Sequence, residues 1–85
     1  MATGERVGEV AHVFDKIMVA VLRLTKGIRQ GDRLHFLGRL TDFEEQVTSM
    51  QVEHQVVEAA AAGSEVAVKL GQPVRRGDAV YLLKE

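Results

Sequence analysis

Apolar and polar residues alternate along much of this chain of 85 residues. Over residues 65–70, Val66, Val68 and Leu70 share one face, and charged or small side chains share the other. A period of two is typical of strands that bury one face. The same reasoning predicts strands over residues 6–14, 34–40 and 79–83, and a continuous apolar run predicts a more fully buried strand over residues 17–24.

One long segment, residues 43–54, breaks the alternation. Val47 has the opposite parity from Met50 and Val52, so a single regular strand cannot bury all three side chains on one face. An extra residue or a bend restores the parity. We therefore predict a bulge or bend at Thr48-Ser49.

Residues 55–62 include four alanines and end at Gly63, and both a short helical turn and an extended loop are compatible with them. The connections between predicted strands are too short for a crossover helix, which favours antiparallel pairing. Closing the sheet on itself removes exposed edges. The sequence therefore predicts an all-β fold, a small closed antiparallel β-barrel of about six strands, rather than a two-sheet sandwich, with residues 1–85 as a single domain.

Composition supports the β assignment and narrows the function. Valine dominates the apolar residues, with 13 Val against 8 Leu and 2 Ile, and β-branched side chains favour sheets. The chain has no cysteine, which excludes disulfides, thiolate metal sites and a cysteine nucleophile. A small chain without disulfides is compatible with the cytoplasm, which is the location we expect. No apolar run approaches the ~20 residues of a membrane helix, so we expect no contact with membranes.

Catalytic and metal-binding patterns are weakly supported. His12, His35 and His54 lie in three different predicted segments, without the paired spacing of a zinc site. Ser49 and Ser64 lack the sequence context of a nucleophile. A chain of this size also has little room for both a core and a deep cavity. We therefore predict no enzyme activity, no catalytic residues, no metal and no cofactor.

One pattern occurs twice, in residues 27–37 and again 46 residues later in residues 73–83. Each copy has an arginine, a polar residue, a Gly-Asp pair and then alternating apolar positions; the pairs are Gly31-Asp32 and Gly77-Asp78. Glycine tolerates a positive φ, and aspartate caps backbone amides in turns. We favour a turn that leads into a strand over a binding loop at both places.

Basic residues cluster around these two turns despite a net charge of −1. If both turns lie at one end of a barrel, four or five positive charges converge there. The arginine fork suits phosphate groups, although solvated surface charges would give the same pattern. The candidate RNA- or partner-binding residues are Arg29, Arg33, His35, Arg39, Arg75 and Arg76.

Three segments resemble the β-barrel called domain 2 in elongation factor Tu and related translational GTPases. They are the strand and Gly-Asp step over residues 19–34, the strand over residues 47–52, and the run Ala-Gly-Ser-Glu-Val-Ala-Val-Lys-Leu over residues 62–70. Their order and spacing are similar to those of the stand-alone translation elongation factor-like proteins. Position 67 is alanine, where that family often has glycine.

The resemblance implies a stand-alone binding module that docks on tRNA, the ribosome or another ribonucleoprotein. It implies no GTP binding, because the chain has neither the phosphate-binding loop nor the guanine-binding motif of those GTPases. A similar barrel is found at the end of some collagenase-like peptidases. The alternative is therefore a protein-interaction or accessory module for a partner enzyme, with homo-oligomers as a variant.

Overall fold

Short antiparallel strands make up most of the computed structural model, which describes residues 4–83. A single three-residue 3-10 helix, Asp15–Ile17, is the helical element of that range. The strands are β1 (Glu5–Phe14), β2 (Val19–Leu24), β3 (Ile28–Arg29), β4 (Arg33–Leu37), β5 (Asp42–Gln46), β6 (Met50–Val52), β7 (Gln55–Val56), β8 (Ala59–Ala60), β9 (Glu65–Lys69) and β10 (Ala79–Leu83).

Eight of these strands form one sheet in the order β5-β4-β10-β1-β2-β9-β6-β7, and β3 and β8 form a separate two-stranded ribbon. Every pairing is antiparallel. The all-β, antiparallel prediction is therefore confirmed. The predicted closed barrel is not found, because the terminal strands β5 and β7 are not paired with each other across residues 4–83.

The long first strand bends the sheet around its core. β1 shifts register against β10 between Arg6 and Gly8, and against β2 between Val10 and His12. Bulges of this kind increase local twist and curvature. Gly8 permits a close approach of β2, since a Cβ there would lie 2.3 Å from the carbonyl oxygen of Arg23. The two bulges therefore favour a curved β1 between its neighbours β10 and β2.

One hydrophobic core lies inside the curved sheet. Its largest fully buried side chains are Phe36, Leu22, Leu24, Ile28, Leu34 and Met50, accompanied by five valines. Phe36 also stacks on Phe43 of β5, with ring centroids 5.2 Å apart. The predicted inward positions Val66, Val68 and Leu70 are all buried. Removal of this apolar surface from water is the main force that holds the short strands together.

Several predicted boundaries need correction. Ile17 lies in the 3-10 helix and is 60% exposed, and Leu40 lies beyond the end of β4 and is 72% exposed. Residues 55–62 contain β7 and β8 rather than a helical turn. The bend predicted at Thr48-Ser49 is confirmed, because β5 ends at Gln46 and β6 begins at Met50.

A loop over residues 38–41 follows β4 and packs against the loop before β10. Gly38 donates its backbone N–H to the carbonyl oxygen of Thr41, 2.7 Å away, and Thr41 is buried. A Cβ at Gly38 would lie 1.9 Å from Oδ1 of Asp78, which is also buried. The two loops therefore meet at a position that has room only for glycine.

We expect Gly38→Ala to lower the free energy of unfolding by about 1–3 kcal/mol, because the new methyl group overlaps the Asp78 carboxylate. Urea unfolding followed by circular dichroism measures the change. Gly71→Ala is the matched control, since its Cβ would meet Glu45 only at 3.5 Å. Equal stability of the two variants would show that the loops do not pack as described.

Candidate functional site

The two Gly-Asp turns adopt the same conformation. Gly31 has a φ of +96° and Gly77 a φ of +95°. Oδ2 of Asp32 accepts the backbone N–H of Arg29 at 2.8 Å, and Oδ2 of Asp78 accepts that of Arg75 at 2.8 Å. The prediction that these pairs form capped turns before a strand is confirmed. We call residues 29–32 the first turn and residues 75–78 the second turn.

Each turn is also fixed to a neighbouring valine by two backbone hydrogen bonds. Val47 accepts the N–H of Gly31 at 2.9 Å and donates its own N–H to Asp32 at 2.8 Å. Val10 accepts the N–H of Gly77 at 2.8 Å and donates its own to Asp78 at 2.8 Å. The two copies of the sequence repeat therefore make the same pair of backbone hydrogen bonds to a neighbouring valine.

The register of β4 and β10 places the two turns at opposite ends of one ladder. His35 pairs with Tyr81, which is its equivalent in the repeat, so a local two-fold axis passes between them. Arg33, just after the first turn, pairs with Leu83, whereas Leu37 pairs with Ala79, just after the second turn. At about 3.3 Å per residue, roughly 13 Å of ladder separates the turns.

The six residues singled out in the sequence therefore do not form one cluster. Arg29 and Arg33 lie at the end of the ladder that carries the first turn, and Arg33 faces Glu44 at 3.8 Å. His35 lies midway along β4, where its Nε2 is 2.6 Å from Oδ1 of Asp42. Its side chain is only 12% exposed. Because the two turns lie at opposite ends of the ladder, the predicted convergence of four or five positive charges at one end is wrong.

Three of the arginines do share an end, and a groove opens beside them. The groove has a volume of about 600 Å³ and lies between β1, the loop over residues 38–41 and the second turn. Arg39 is adjacent to it in that loop. We call it the arginine groove; its lining residues include His12, Val13, Asp15, Leu40, Arg75 and Arg76.

The charges around the arginine groove are unbalanced. Within residues 4–83, no ion pair or hydrogen bond engages the side chains of Arg39, Arg75 or Arg76. Asp15 is the acidic residue in the lining. Leu40 supplies an exposed apolar surface beside these charges. A surface of this kind suits an acidic partner that also carries apolar groups.

Leu40 was not expected on this surface from the sequence pattern. Its position in an apolar alternation predicted a strand residue, but Gly38 ends β4 before it, and the tight turn leaves Leu40 in solvent. Gly38 was the feature of the sequence that could have indicated this turn. Within residues 4–83, no group of three His, Asp or Glu side chains is placed to bind a metal ion.

Comparison with solved structures identifies the fold as that of a peptidase's C-terminal domain. The domain comes from a Geobacillus thermoleovorans protein assigned as a U32 peptidase, and its structure has a TM-score of 0.87. It is 20% identical and covers 99% of this chain and 98% of that domain. A selenomethionine variant of the same domain has a TM-score of 0.85 at 20% identity, covering 91% and 98% of the two chains.

A relative with closer sequence is an uncharacterised protease of Methanocaldococcus jannaschii. It is 44% identical over 80 residues, which cover 93% of this chain. The chain spans only a fifth, 20%, of the length of that protease. No family model matches the sequence.

These comparisons overturn the resemblance to translation elongation factors, because they point to the U32 peptidases instead. They give no support to tRNA or the ribosome as partners. The three segments that carried the resemblance are mainly strands and turns, in which backbone conformation restricts the residue types that fit. Gly31-Asp32 is one example, since the same pair recurs at the second turn with the same hydrogen bonds.

Membrane-spanning helices are not found in residues 4–83, where the 3-10 turn at Asp15–Ile17 is far shorter than a bilayer requires.

Removal of the aspartate should affect the two turns unequally. We expect Asp78→Ala to cost about 2–3 kcal/mol of folding free energy and Asp32→Ala about 1 kcal/mol, because Asp78 is buried and its loss leaves polar groups without water. Thermal and urea unfolding of both variants would measure the difference. A larger loss for Asp32→Ala would contradict the burial of Asp78.

Proposed function

We propose that this chain is a non-catalytic accessory domain of the U32 peptidase type, which binds a peptidase as a protein-interaction module. The observation that carries the proposal is the 44% identity to one fifth of a protease. That identity extends over 93% of the present chain. An 80-residue match confined to so small a part of a larger protein is typical of a shared domain.

The structural comparison supports the same boundaries. The C-terminal domain of the Geobacillus protein has this fold, and the likeness extends over 98% of that domain. A folded unit of this size has a core of its own, as the buried cluster around Phe36 and Leu22 shows here. Such a unit is suited to dock on a larger protein through its surface.

The placement of reactive side chains supports a binding role rather than catalysis. His12 lies on β1, His35 on β4 and His54 in the turn between β6 and β7. His35 is paired with Asp42, and no serine, threonine or tyrosine hydroxyl in residues 4–83 hydrogen-bonds to a histidine. A base without an adjacent nucleophile does not form a hydrolytic pair.

A domain exchange in the Methanocaldococcus protease tests the proposal. Three proteins are compared: the intact protease, a deletion of the 80-residue match, and a chimera in which this chain replaces the match. Hydrolysis of fluorescent casein is the measurement. We expect the deletion to lose at least about tenfold in rate and the chimera to stay within about twofold of the intact protease, because the accessory domain positions the peptidase or its substrate.

A second chimera carrying an unrelated small β domain is the control for linkage alone. If the deletion retains full activity, or if the unrelated domain restores activity as well as this chain does, the accessory role is wrong. The isolated chain is assayed in parallel, and casein hydrolysis by it would contradict the non-catalytic assignment.

A further inference from the structure

The two turns differ in what covers the residues that lead into them. Before the first turn, β3 pairs with β8, with Ile28 opposite Ala60 and Arg29 opposite Ala59. The following residue, Gln30, donates its N–H to the carbonyl oxygen of Glu58 at 2.7 Å. An extended segment thus lies along the approach to the first turn.

The equivalent residues before the second turn have no such segment. The repeat places Val74 at the position of Ile28, Arg75 at that of Arg29 and Arg76 at that of Gln30. Among residues 4–83, no hydrogen bond engages the backbone of Val74, and none engages the N–H of Arg76. The backbone hydrogen bonds of Gly31 and Asp32 have counterparts at Gly77 and Asp78, whereas the side-chain bonds from Gln30 to Thr48 and from Gln46 to Gly31 occur at the first turn.

The backbone N–H and C=O groups of Val74 have no hydrogen-bond partner among residues 4–83, which is unusual at a buried position. Val74 is only 5% exposed and belongs to the core cluster. Buried N–H and C=O groups are nearly always hydrogen-bonded in native proteins. Val74 also lines the arginine groove, so a strand lying in the groove could reach its backbone.

The arginine groove carries positively charged side chains beside the unpaired backbone groups of Val74. Arg75 and Arg76 follow Val74 directly in the chain and line the groove, and Arg39 is next to the lining residue Leu40. The covering segment at the first turn is itself acidic and small, since it begins with Glu58 and continues with four alanines. A partner strand at the second turn would meet a more basic surface than β8 meets at the first.

We propose that the arginine groove binds an extended acidic segment of a partner protein, which pairs with the backbone at Val74 as β8 pairs with Ile28. This is addition of a strand to an open edge, with main-chain hydrogen bonds for affinity and side chains for selectivity. Alternate side chains of the segment would contact Leu40 and the groove floor, and the others would face the arginines. The inference rests on the proposed function in that it takes the partner to be a protein.

A protein segment fits this groove better than a nucleic acid. Its described lining residues include no Phe, Tyr or Trp side chain, so the groove lacks the large aromatic surfaces typical of single-strand nucleic-acid sites. A second groove lies on the outer face of the sheet, beside Phe14 and Val21. Its described lining residues include Glu53 and Glu65 and no Lys or Arg, so this groove would repel an acidic segment.

Binding is measured by fluorescence anisotropy with a labelled peptide in which Glu and Val alternate, added to the full chain. We expect Arg75→Glu with Arg76→Glu to weaken binding at least about tenfold through lost charge complementarity. The matched control is Arg29→Glu with Arg33→Glu, which makes the same change in net charge at the covered turn. It should stay within about twofold of the parent.

The hydrogen-bonding part of the proposal has its own readout. Amide hydrogen exchange by nuclear magnetic resonance should slow at Val74 and Arg76 when the peptide binds, because their N–H groups gain acceptors. A peptide of the same sequence with N-methylated backbone amides should bind at least about tenfold more weakly. Leu40→Ser should weaken binding severalfold without loss of stability, since this side chain is exposed.

Several results would overturn the proposal. They are the absence of peptide binding at low salt, equal loss in the two double variants, protection at β5 or β7 instead of Val74, and tighter binding of oligouridine RNA than of the peptide. The domain exchange separates this inference from the proposed function. A chimera that keeps its activity with Arg75→Glu and Arg76→Glu would support the accessory role and contradict peptide binding in the groove. An inactive chimera with normal peptide binding would support binding in the groove and contradict the accessory role.

Discussion

A hydrogen bond from a backbone N–H to an aspartate three residues later organises this domain twice. At Asp32 and at Asp78 the bond closes a turn, and a glycine with positive φ reverses the chain. β4 and β10 both begin just after such turns and pair with each other as the second and third strands of the eight-stranded sheet. The positions of the core side chains Leu34, Phe36 and Val80 follow from that pairing.

Local patterns in the sequence predicted local structure well. The alternation over residues 65–70 identified β9, and the mismatch between Val47 and Met50 identified the break between β5 and β6. Both signals arise from neighbouring residues that must bury side chains on one face. Closure of the sheet was predicted wrongly because it depends on how β5 and β7 lie relative to each other, and alternation within single strands carries no information on that arrangement.

The candidate site shows the same limit. The arginines were recognisable as a set because they stand near two similar turns, but their grouping depends on the direction of β4 relative to β10. Antiparallel pairing with His35 opposite Tyr81 sends the turns to opposite ends and leaves Arg75 and Arg76 with Arg39. The same internal symmetry then shows what the sequence could not, namely that one turn is covered by β8 and the other is open.

The contact between Gly38 and Asp78 has a consequence for the kinetics of binding. The loop with Arg39 and Leu40 lies against Asp78 of the second turn at this point, so the groove walls could separate only by breaking this packing. A partner of the proposed kind would therefore meet a site that is already formed. Encounter would then be limited by diffusion and by attraction to the arginines, and discrimination between partners would reside mainly in how long each complex lasts.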